Sequence, residues 1–342
     1  MIRKKRGRSL SLQQQGRIAA TEQKRADSQA MHGDALLRCL GRDAFSVEEE
    51  GLVIAHFGLN VEVEDCNGAR FRCAVRKSAT GEPVCGDRVL WMRAVNDQGI
   101  INRIQPRSSL LQRPLSAQRL QIIAANVERI FVVFAATDAN IGLLDRYLVA
   151  AGAAGIEAVI VVNKMDLVVD RVEVMASFAH YARMGYRLLF TSTLEQTGLE
   201  ALAQELAGHI SVFVGESGTG KSSLIAQWVS ADSLKIGRVN QESGKGRHTT
   251  TVTSLYHLEG GGSLIDSPGI REFGLHAVEA NQVGYYFPDI VPWMGQCRFS
   301  DCAHGGEPEC AVQRALQTGQ VHPARLESLR QIQRSLLQEK LF

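Results

Sequence analysis

The chain has 342 residues, a hydrophobic content of 45% and a formal net charge of +2, which suits a folded globular protein of two or three domains. No run approaches the roughly 18 apolar residues that a membrane helix needs, and the first residues lack the apolar block of a secretory signal. A protein with no membrane contact, located in the cytoplasm, is therefore expected. Seven cysteines, an odd number, argue against a disulfide framework in that compartment.

Residues 1–47 are predicted to form a basic mobile arm. Residues 1–25 carry eight lysines and arginines against one glutamate, and they contain few apolar residues that could build a core. Such an excess of positive charge favours a polyanion, RNA or DNA, because phosphates are neutralised and counterions are released. A solubilising tail without a fixed partner explains the same composition equally well.

Residues 48–106 are expected to form a small β-barrel. They hold five short strand-like runs, and Asn67-Gly68 between the second and third is a typical hairpin turn. Five short strands in so few residues favour a closed barrel of the OB-fold type. The residues Gln105–Ser109 then indicate a linker. Four scattered cysteines of this half are predicted to be buried or inert: Cys39, Cys66, Cys73 and Cys85.

A different pattern occupies residues 107–275. Four continuous apolar runs, which end at Phe134, Val162, Phe190 and Val214, alternate with helical patterns. Runs that are apolar on both faces are typical of a parallel sheet covered by helices, so an α/β domain is predicted here. Residues 276–342 are predicted to form a small α-helical domain. Its closing helix has five apolar residues at helical spacing, which form one face to dock: Leu326, Leu329, Ile332, Leu336 and Leu337.

The segment Gly215–Ser222 matches the phosphate-loop pattern G-x-x-x-x-G-K-[ST] in full. It follows an apolar strand and precedes a helical pattern, which is the context that this motif requires. Lys221 would reach the β- and γ-phosphates, and the Ser222 hydroxyl would hold Mg²⁺. A glycine-rich turn with a solvated lysine is the alternative. The backbone N–H groups that would surround the phosphates belong to Gly215, Glu216, Ser217, Gly218, Thr219 and Gly220.

A base-reading motif, Asn163-Lys164-Met165-Asp166, follows the second apolar run. The Asp166 carboxylate can accept two N–H bonds from guanine, whereas adenine offers no such pair and would leave it desolvated and unmatched. The motif therefore predicts a guanine nucleotide. Ser192, within Thr191-Ser192-Thr193 after the next strand, is expected to support the base, although such strand ends also serve as helix caps.

Two further segments are expected to close on the phosphates. In Asp266-Ser267-Pro268-Gly269, Asp266 would bind Mg²⁺ through water and the N–H of Gly269 would meet the γ-phosphate. An ordinary strand-ending turn is the alternative for this short pattern. Upstream, one threonine of a polar, glycine-containing loop could close over Mg²⁺. Thr249 and Thr250 are both candidates, and the sequence does not decide between them.

The catalytic residue is the least defined part of the site. Ras-type enzymes orient the attacking water with a glutamine just after the D-x-x-G motif, and Ile270 occupies that place here. Slow intrinsic hydrolysis is therefore expected, with another group or a partner positioning the water. His248, next to the two threonines, is the candidate, and a solvated loop histidine is an equal alternative.

Three thiols and one imidazole cluster within 14 residues in the pattern Cys297-x4-Cys302-x-His304-x5-Cys310. Zinc takes four such ligands in tetrahedral geometry, and a set of three cysteines and one histidine leaves no position open for substrate. One structural zinc is therefore predicted. A chance cluster of reduced thiols is the alternative.

The order of these motifs is permuted, because the base-reading motif precedes the phosphate loop and D-S-P-G comes last. With a barrel before them and a cysteine cluster after them, the chain resembles the RsgA/YjeQ family of circularly permuted GTPases over about residues 50–330. The resemblance implies an OB-fold, a circularly permuted P-loop GTPase domain and a zinc-binding domain. It implies binding to the 30S subunit and its 16S rRNA late in maturation, with subunit-stimulated hydrolysis of GTP to GDP.

Carried over to this sequence, the family pattern extends the phosphate and Mg²⁺ segment to Ser223 and marks His248 as the suspected catalytic residue. Glu216, Thr219 and Thr193 depart from the usual residues, and Glu216 adds negative charge near phosphate. We expect a monomer. Two other functions fit parts of the sequence: a nucleic-acid-binding module whose nucleotide site is only structural, and an ATP-using P-loop enzyme.

Overall fold

The computed structural model describes residues 45–57, 60–79, 81–116, 119–138, 140–229, 253–267, 270, 274–275, 278–300 and 302–339. The predicted arm up to residue 44, Cys39 and four predicted site residues, His248, Thr249, Thr250 and Gly269, lie outside this described part. The chain divides into two compact units. The first comprises the residues up to Arg107 together with Pro114–Leu120, and the second comprises Ser108–Arg113 together with the residues from Gln121 onward. The domain boundaries predicted from the sequence stay predictions.

The first unit contains a closed five-stranded barrel. Neighbouring strands pair antiparallel, β1 with β2, β2 with β3, β4 with β5 and β1 with β4, while β3 pairs with β5 in parallel. Because β1 pairs with both β2 and β4, the sheet closes on itself, and the predicted barrel is confirmed. The strands are β1 (Glu49–Phe57), β2 (Asn60–Glu64), β3 (Arg70–Val75), β4 (Arg88–Arg93) and β5 (Gln98–Ile104).

Trp91 of β4 fills the centre of this barrel. Its side chain is fully buried, and its ring lies 4.9 Å from that of Phe71, centroid to centroid. Glycine is required where two strands pass the indole, because an added Cβ would lie 2.6 Å from Trp91 atoms at both Gly51 and Gly99. Burial of such a large side chain supplies much of the apolar stabilisation of a small barrel.

The turn between β2 and β3 confirms one prediction. Gly68 has a φ of +79°, the left-handed backbone that the Asn67-Gly68 pair predicts. Of the cysteines predicted to be buried or inert, Cys73 and Cys85 are buried, whereas Cys66 in this turn is exposed.

The second unit is built on a six-stranded sheet in the order β10-β9-β8-β11-β13-β12. All neighbouring pairs are parallel except β12 with β13, which confirms the predicted α/β architecture. A separate hairpin, β6 with β7, precedes the sheet in the sequence, and its residues are divided between the two units. The strands are β6 (Leu110–Ser116), β7 (Arg119–Ala125), β8 (Arg129–Ala135), β9 (Glu157–Asn163), β10 (Arg187–Phe190), β11 (Ile210–Val214), β12 (Thr253–His257) and β13 (Ser263–Asp266).

Six α-helices accompany these strands in the described part of the chain. Two of them begin at side-chain caps: Asn140 accepts from the N–H of Leu143 at 3.1 Å, and Asp170 accepts from that of Glu173 at 2.9 Å. None of the described helices has the length and apolar content that a membrane crossing requires. The helices are α1 (Ile141–Ala153), α2 (Arg171–Arg183), α3 (Leu199–Leu206), α4 (Lys221–Ile225), α5 (Ala311–Gln317) and α6 (Pro323–Glu339).

Helix α6 packs against α1 and against a 3-10 helix at Ala280–Tyr286. Four of the five apolar residues predicted for its docking face are buried: Leu326, Leu329, Ile332 and Leu336. Leu337 is 57% exposed, so its assignment to that face is wrong. It directly follows Leu336, and a step of one residue turns a side chain by about 100° around a helix of 3.6 residues per turn.

A buried charge network joins α6 to α1. Arg325 of α6, 1% exposed, donates to Asp145 of α1, which is fully buried, and to Asp289 at 3.1 Å. The guanidinium also lies 4.2 Å from the ring centroid of Phe287, and the Tyr181 hydroxyl donates to Asp145 at 2.6 Å. A guanidinium suits this place because its planar donors can serve two carboxylates while its face stacks on a ring.

We expect Arg325→Met to lower the free energy of unfolding by about 3–5 kcal/mol, because two buried carboxylates would lose their cationic partner. Urea unfolding followed by circular dichroism measures this change. Arg171→Met is the matched control, since Arg171 pairs with Glu195 at 2.6 Å between half-exposed side chains, and a loss of at most about 1 kcal/mol is expected there. Equal losses in the two variants would contradict the prediction.

Candidate functional site

The predicted base-reading motif and the predicted phosphate loop meet at one edge of the sheet. Asn163 is the last residue of β9, and its side-chain N–H donates to the carbonyl of Thr219 at 3.0 Å. The Asn163 side-chain oxygen accepts from the Thr191 hydroxyl, which follows β10, also at 3.0 Å. Parallel neighbouring strands end at the same edge, and this is where α/β sheets bind ligands. One buried amide therefore joins three loops.

The base-reading segment has a fixed conformation. Lys164 has a φ of +63°, which turns the chain sharply after β9, and Met165 is buried with its N–H donating to the Thr191 carbonyl at 3.2 Å. The Ser192 hydroxyl donates to Oδ1 of Asp166 and accepts from the N–H of Glu195 at 3.0 Å. The half-buried carboxylate of Asp166 is thus held at a defined place beside the loop that was predicted to support the base.

The phosphate loop runs from the end of β11 to the start of α4, and its glycines adopt conformations that other residues avoid. Gly215, Gly218 and Gly220 have φ values of +134°, +85° and +95°. An added Cβ at Gly215 would lie 2.2 Å from the carbonyl oxygen of Val133, and one at Gly220 would lie 2.3 Å from the amide of Asn163. Close backbone packing, and not only the turn itself, therefore demands glycine at these two positions.

Polar groups of the loop are organised around Lys221. Its ammonium donates to the carbonyl of Gly215 at 2.8 Å and to that of Glu216, while the Thr219 hydroxyl donates to Glu216 at 3.1 Å. Thr219 is buried, so this departure from the family pattern is accommodated by an internal hydrogen bond. Four other residues of the segment are exposed at its outer surface: Glu216, Ser217, Gly218 and Ser222, with Ser223 following them.

The predicted Mg²⁺ carboxylate lies at the same edge of the sheet. Asp266 ends β13, the strand next to β11, and is exposed. The neighbouring Ser267 hydroxyl accepts from Thr253 at 2.9 Å, which ties the end of β13 to the start of β12. Ile270 stands where Ras-type enzymes carry the glutamine that orients the attacking water. It is 4% exposed, so its side chain belongs to the core.

The predicted zinc ligands form a compact cluster in which all four ligand atoms lie within 4.8 Å of one another. The Nδ1 atom of His304 is 3.5 Å from the sulfur of Cys297, 3.6 Å from that of Cys302 and 3.4 Å from that of Cys310. The sulfurs of Cys297 and Cys310 are 3.8 Å apart. A tetrahedral zinc with bonds of about 2.3 Å to sulfur and about 2.0–2.1 Å to nitrogen separates sulfur pairs by about 3.8 Å and sulfur–nitrogen pairs by about 3.5 Å. The four residues therefore fit one zinc ion.

The backbone around His304 is anchored to two helices. His304 has a φ of +58°, and its carbonyl accepts from Gln313 of α5 at 2.7 Å and from Arg330 of α6. Burial lowers the pKa of the His304 imidazole, which favours the neutral form that ligates metals. Contacts of this kind orient a ligand, and they attach the cluster to the helical end of the unit.

One contact at the site was not predicted from the sequence. Thr191 was placed only in the loop that supports the base, and the structure shows its hydroxyl donating to the side-chain oxygen of Asn163.

Asn163→Ala is expected to lower the free energy of unfolding by about 1–3 kcal/mol, because the buried Thr219 carbonyl and Thr191 hydroxyl both lose their partner. Urea unfolding measures the change. Gln331→Ala serves as the control, since the Gln331 amide bonds to Glu327 at the surface of α6, and a change within about 0.5 kcal/mol is expected. A neutral Asn163→Ala variant would show that the three loops are held together by other contacts.

Comparison with known proteins gives a consistent result. The sequence profile of the RsgA GTPase family matches residues 104–276. The small ribosomal subunit biogenesis GTPase RsgA of Chromohalobacter salexigens is 45% identical over 84% of this chain and 86% of that protein. Its counterpart in Hahella chejuensis is 40% identical over 98% of both chains.

Solved structures show the same relationship. The crystal structure of YjeQ from Thermotoga maritima has a TM-score of 0.69 and 29% identity, covering 85% of this chain and 99% of that one. YloQ, described as a circularly permuted GTPase, has a TM-score of 0.67 and 27% identity, covering 85% and 96%. Since the profile spans half of the chain and relatives at 40% identity or more span most of it, the chain belongs to the RsgA GTPase family.

Proposed function

We propose that this chain hydrolyses GTP to GDP and phosphate during biogenesis of the small ribosomal subunit, in the cytoplasm, as a monomer stimulated by the 30S particle and its 16S rRNA. The observation that carries the proposal is the hydrogen bond from Asn163 to Thr219, since it joins the segment proposed to read guanine to the segment proposed to bind phosphate. Family membership supports the GTPase activity, and the names of the relatives support the role in subunit biogenesis.

Guanine recognition is assigned to Asp166 with Ser192 behind it. The Ser192 hydroxyl holds one carboxylate oxygen, so Asp166 is oriented before the base arrives. A fixed carboxylate pairs with the two N–H groups of guanine, and against adenine it would be desolvated without a partner. Lys164 and Met165 shape the pocket through the sharp turn that separates Asn163 from Asp166.

Phosphate binding is assigned to the segment Gly215–Ser223. Its outer surface is exposed, and its N–H groups precede a helix, so both the backbone dipoles and the Lys221 ammonium favour negative charge. Glu216 is exposed on the same surface.

Ser222 and Asp266 would hold Mg²⁺ with the nucleotide, since a hydroxyl and a carboxylate are the oxygen ligands that Mg²⁺ prefers. Ser222 lies in α4, the helix after β11, and Asp266 ends the neighbouring strand β13. When bound, the ion supplies neutralisation of the charge on the phosphates. Thr249 or Thr250 and the N–H of Gly269 are proposed to complete this side of the site, with His248 placing the attacking water because the buried Ile270 cannot.

One experiment tests guanine reading and ribosomal stimulation together. GTP turnover by the wild type is expected to rise at least tenfold with purified 30S subunits and to stay at its basal value with 50S subunits. Asp166→Asn should lose GTP turnover by about two orders of magnitude and gain turnover of xanthosine triphosphate, whose C2 oxygen can accept from the new amide.

The matched control is Asp170→Asn, which changes a carboxylate four residues away that only caps α2. Its GTP turnover should stay within about twofold of the wild type. No turnover with or without 30S subunits would overturn the proposed activity, and equal turnover of ATP would overturn the guanine assignment.

The cysteine cluster is proposed to hold one structural zinc. Metal analysis should find one zinc per chain. Cys310→Ser should lose the zinc and part of the native circular dichroism spectrum, because the bound metal would hold the segment from Cys297 to Cys310 against the helical end of the unit. Cys66→Ser, a change at an exposed thiol outside the cluster, should keep both. A Cys310→Ser variant with full zinc content would contradict the assignment.

A further inference from the structure

The loop that carries His304 is bent around one carboxylate. Oε1 of Glu307 accepts from the N–H of Ala303 at 3.0 Å, and Oε2 accepts from the N–H of Gly306 at 3.1 Å. The two donors lie on either side of His304 in the sequence. A single half-buried side chain therefore closes the loop that presents the histidine of the cysteine cluster.

The backbone of this loop needs such a contact. His304 has a φ of +58° and Gly306 a φ of +129°, and both values lie outside the regions that most residues prefer. The neighbours Ala303, Gly305 and Gly306 are small and exposed, so they gain little from apolar packing. Hydrogen bonds therefore have to fix the bend.

His304 is also held from the side of the helices. Its carbonyl accepts from Gln313 of α5 at 2.7 Å and from Arg330 of α6. Glu307 thus binds the N–H groups before and after the histidine, while the two helices bind the histidine's own carbonyl. With its backbone fixed on both sides, the imidazole places Nδ1 at 3.4–3.6 Å from the three sulfurs.

Glu307 differs from the four residues that fit zinc. Those four place their ligand atoms within 4.8 Å of one another, and Glu307 does not belong to the set. Each of its carboxylate oxygens instead accepts from a backbone N–H group. A glutamine of the same size could serve one of the two donors, because only one of its terminal atoms is an acceptor.

We propose that Glu307 is a positioning residue for the zinc site, which holds the His304 loop in its metal-binding conformation before the ion is bound. The inference rests on the proposed zinc site and adds to it a residue that is not a ligand. Without the carboxylate, the loop gains other conformations. The affinity for zinc then falls in proportion to the fraction of molecules whose loop is competent to bind.

Glu307→Gln keeps the size of the side chain and removes one of its two acceptors. Its Kd for zinc, measured on the full chain by competition with a chromophoric chelator, should rise about tenfold. Glu307→Ala removes both acceptors and should raise the Kd by about 100-fold.

Glu309→Gln is the matched control. It removes the same charge two residues away, from an exposed side chain that pairs with Arg298. Its Kd for zinc should stay within about twofold of the wild type, because an exposed ion pair contributes little. If Glu307 acted only by attracting the cation, the two glutamine variants would lose affinity alike.

Cobalt separates a positioning role from a ligand role. Co²⁺ bound in place of zinc reports its ligands through its visible absorption spectrum. The spectrum of Glu307→Gln saturated with Co²⁺ should match that of the wild type, because the three thiolates and the imidazole remain.

Three results would overturn the inference: an unchanged zinc Kd in Glu307→Gln, an equal loss of affinity in Glu309→Gln, or a changed cobalt spectrum in Glu307→Gln. The first would make the contact an ordinary loop hydrogen bond, the second would leave only an effect of charge, and the third would make Glu307 a ligand. A wild type that binds no zinc would overturn the proposed zinc site as well, so the two failures are distinguishable.

Discussion

The side chain of Asn163 is the contact on which the candidate site depends. Its donor holds Thr219 in the phosphate loop and its acceptor holds Thr191 beside the base-supporting segment, and it is almost completely buried. An amide suits this place, because it offers both a donor and an acceptor at one position, and a carboxylate or a hydroxyl of similar size cannot satisfy both neighbours in this geometry. The sheet brings the three loops to one edge, and this residue fixes their spacing.

Circular permutation changes the order of the motifs without changing this edge. The base-reading segment follows β9, and the phosphate loop follows β11. Strands β9 and β11 both pair with β8 in the sheet. Strand position therefore decides which side chains meet, while the chain order decides which segments follow the site. In this chain the strand that carries Asp266 is followed by the cysteine cluster and α6.

Much of the fold and of the candidate site could be predicted, for physical reasons that differ between elements. Strands β8, β9 and β11 are apolar on both faces, so their burial is visible in the sequence, and Gly215 and Gly220 mark a loop that only glycine can form. The hairpin β6–β7 was not predicted, since its runs mix polar and apolar residues without clear alternation. The partner of the Thr191 hydroxyl depends on tertiary packing, for which spacing gives no signal.

The buried pair of Asp145 and Arg325 shows what such polar contacts contribute beyond stability. An apolar pair of the same volume could fill the space between α1 and α6 at no cost in free energy, because burying two charges offsets most of their attraction. Apolar packing, however, tolerates sliding of one helix along another, whereas a guanidinium held between two carboxylates and a ring permits one register. That register fixes how α1, the helix that precedes β9 and its base-reading segment, lies against α6.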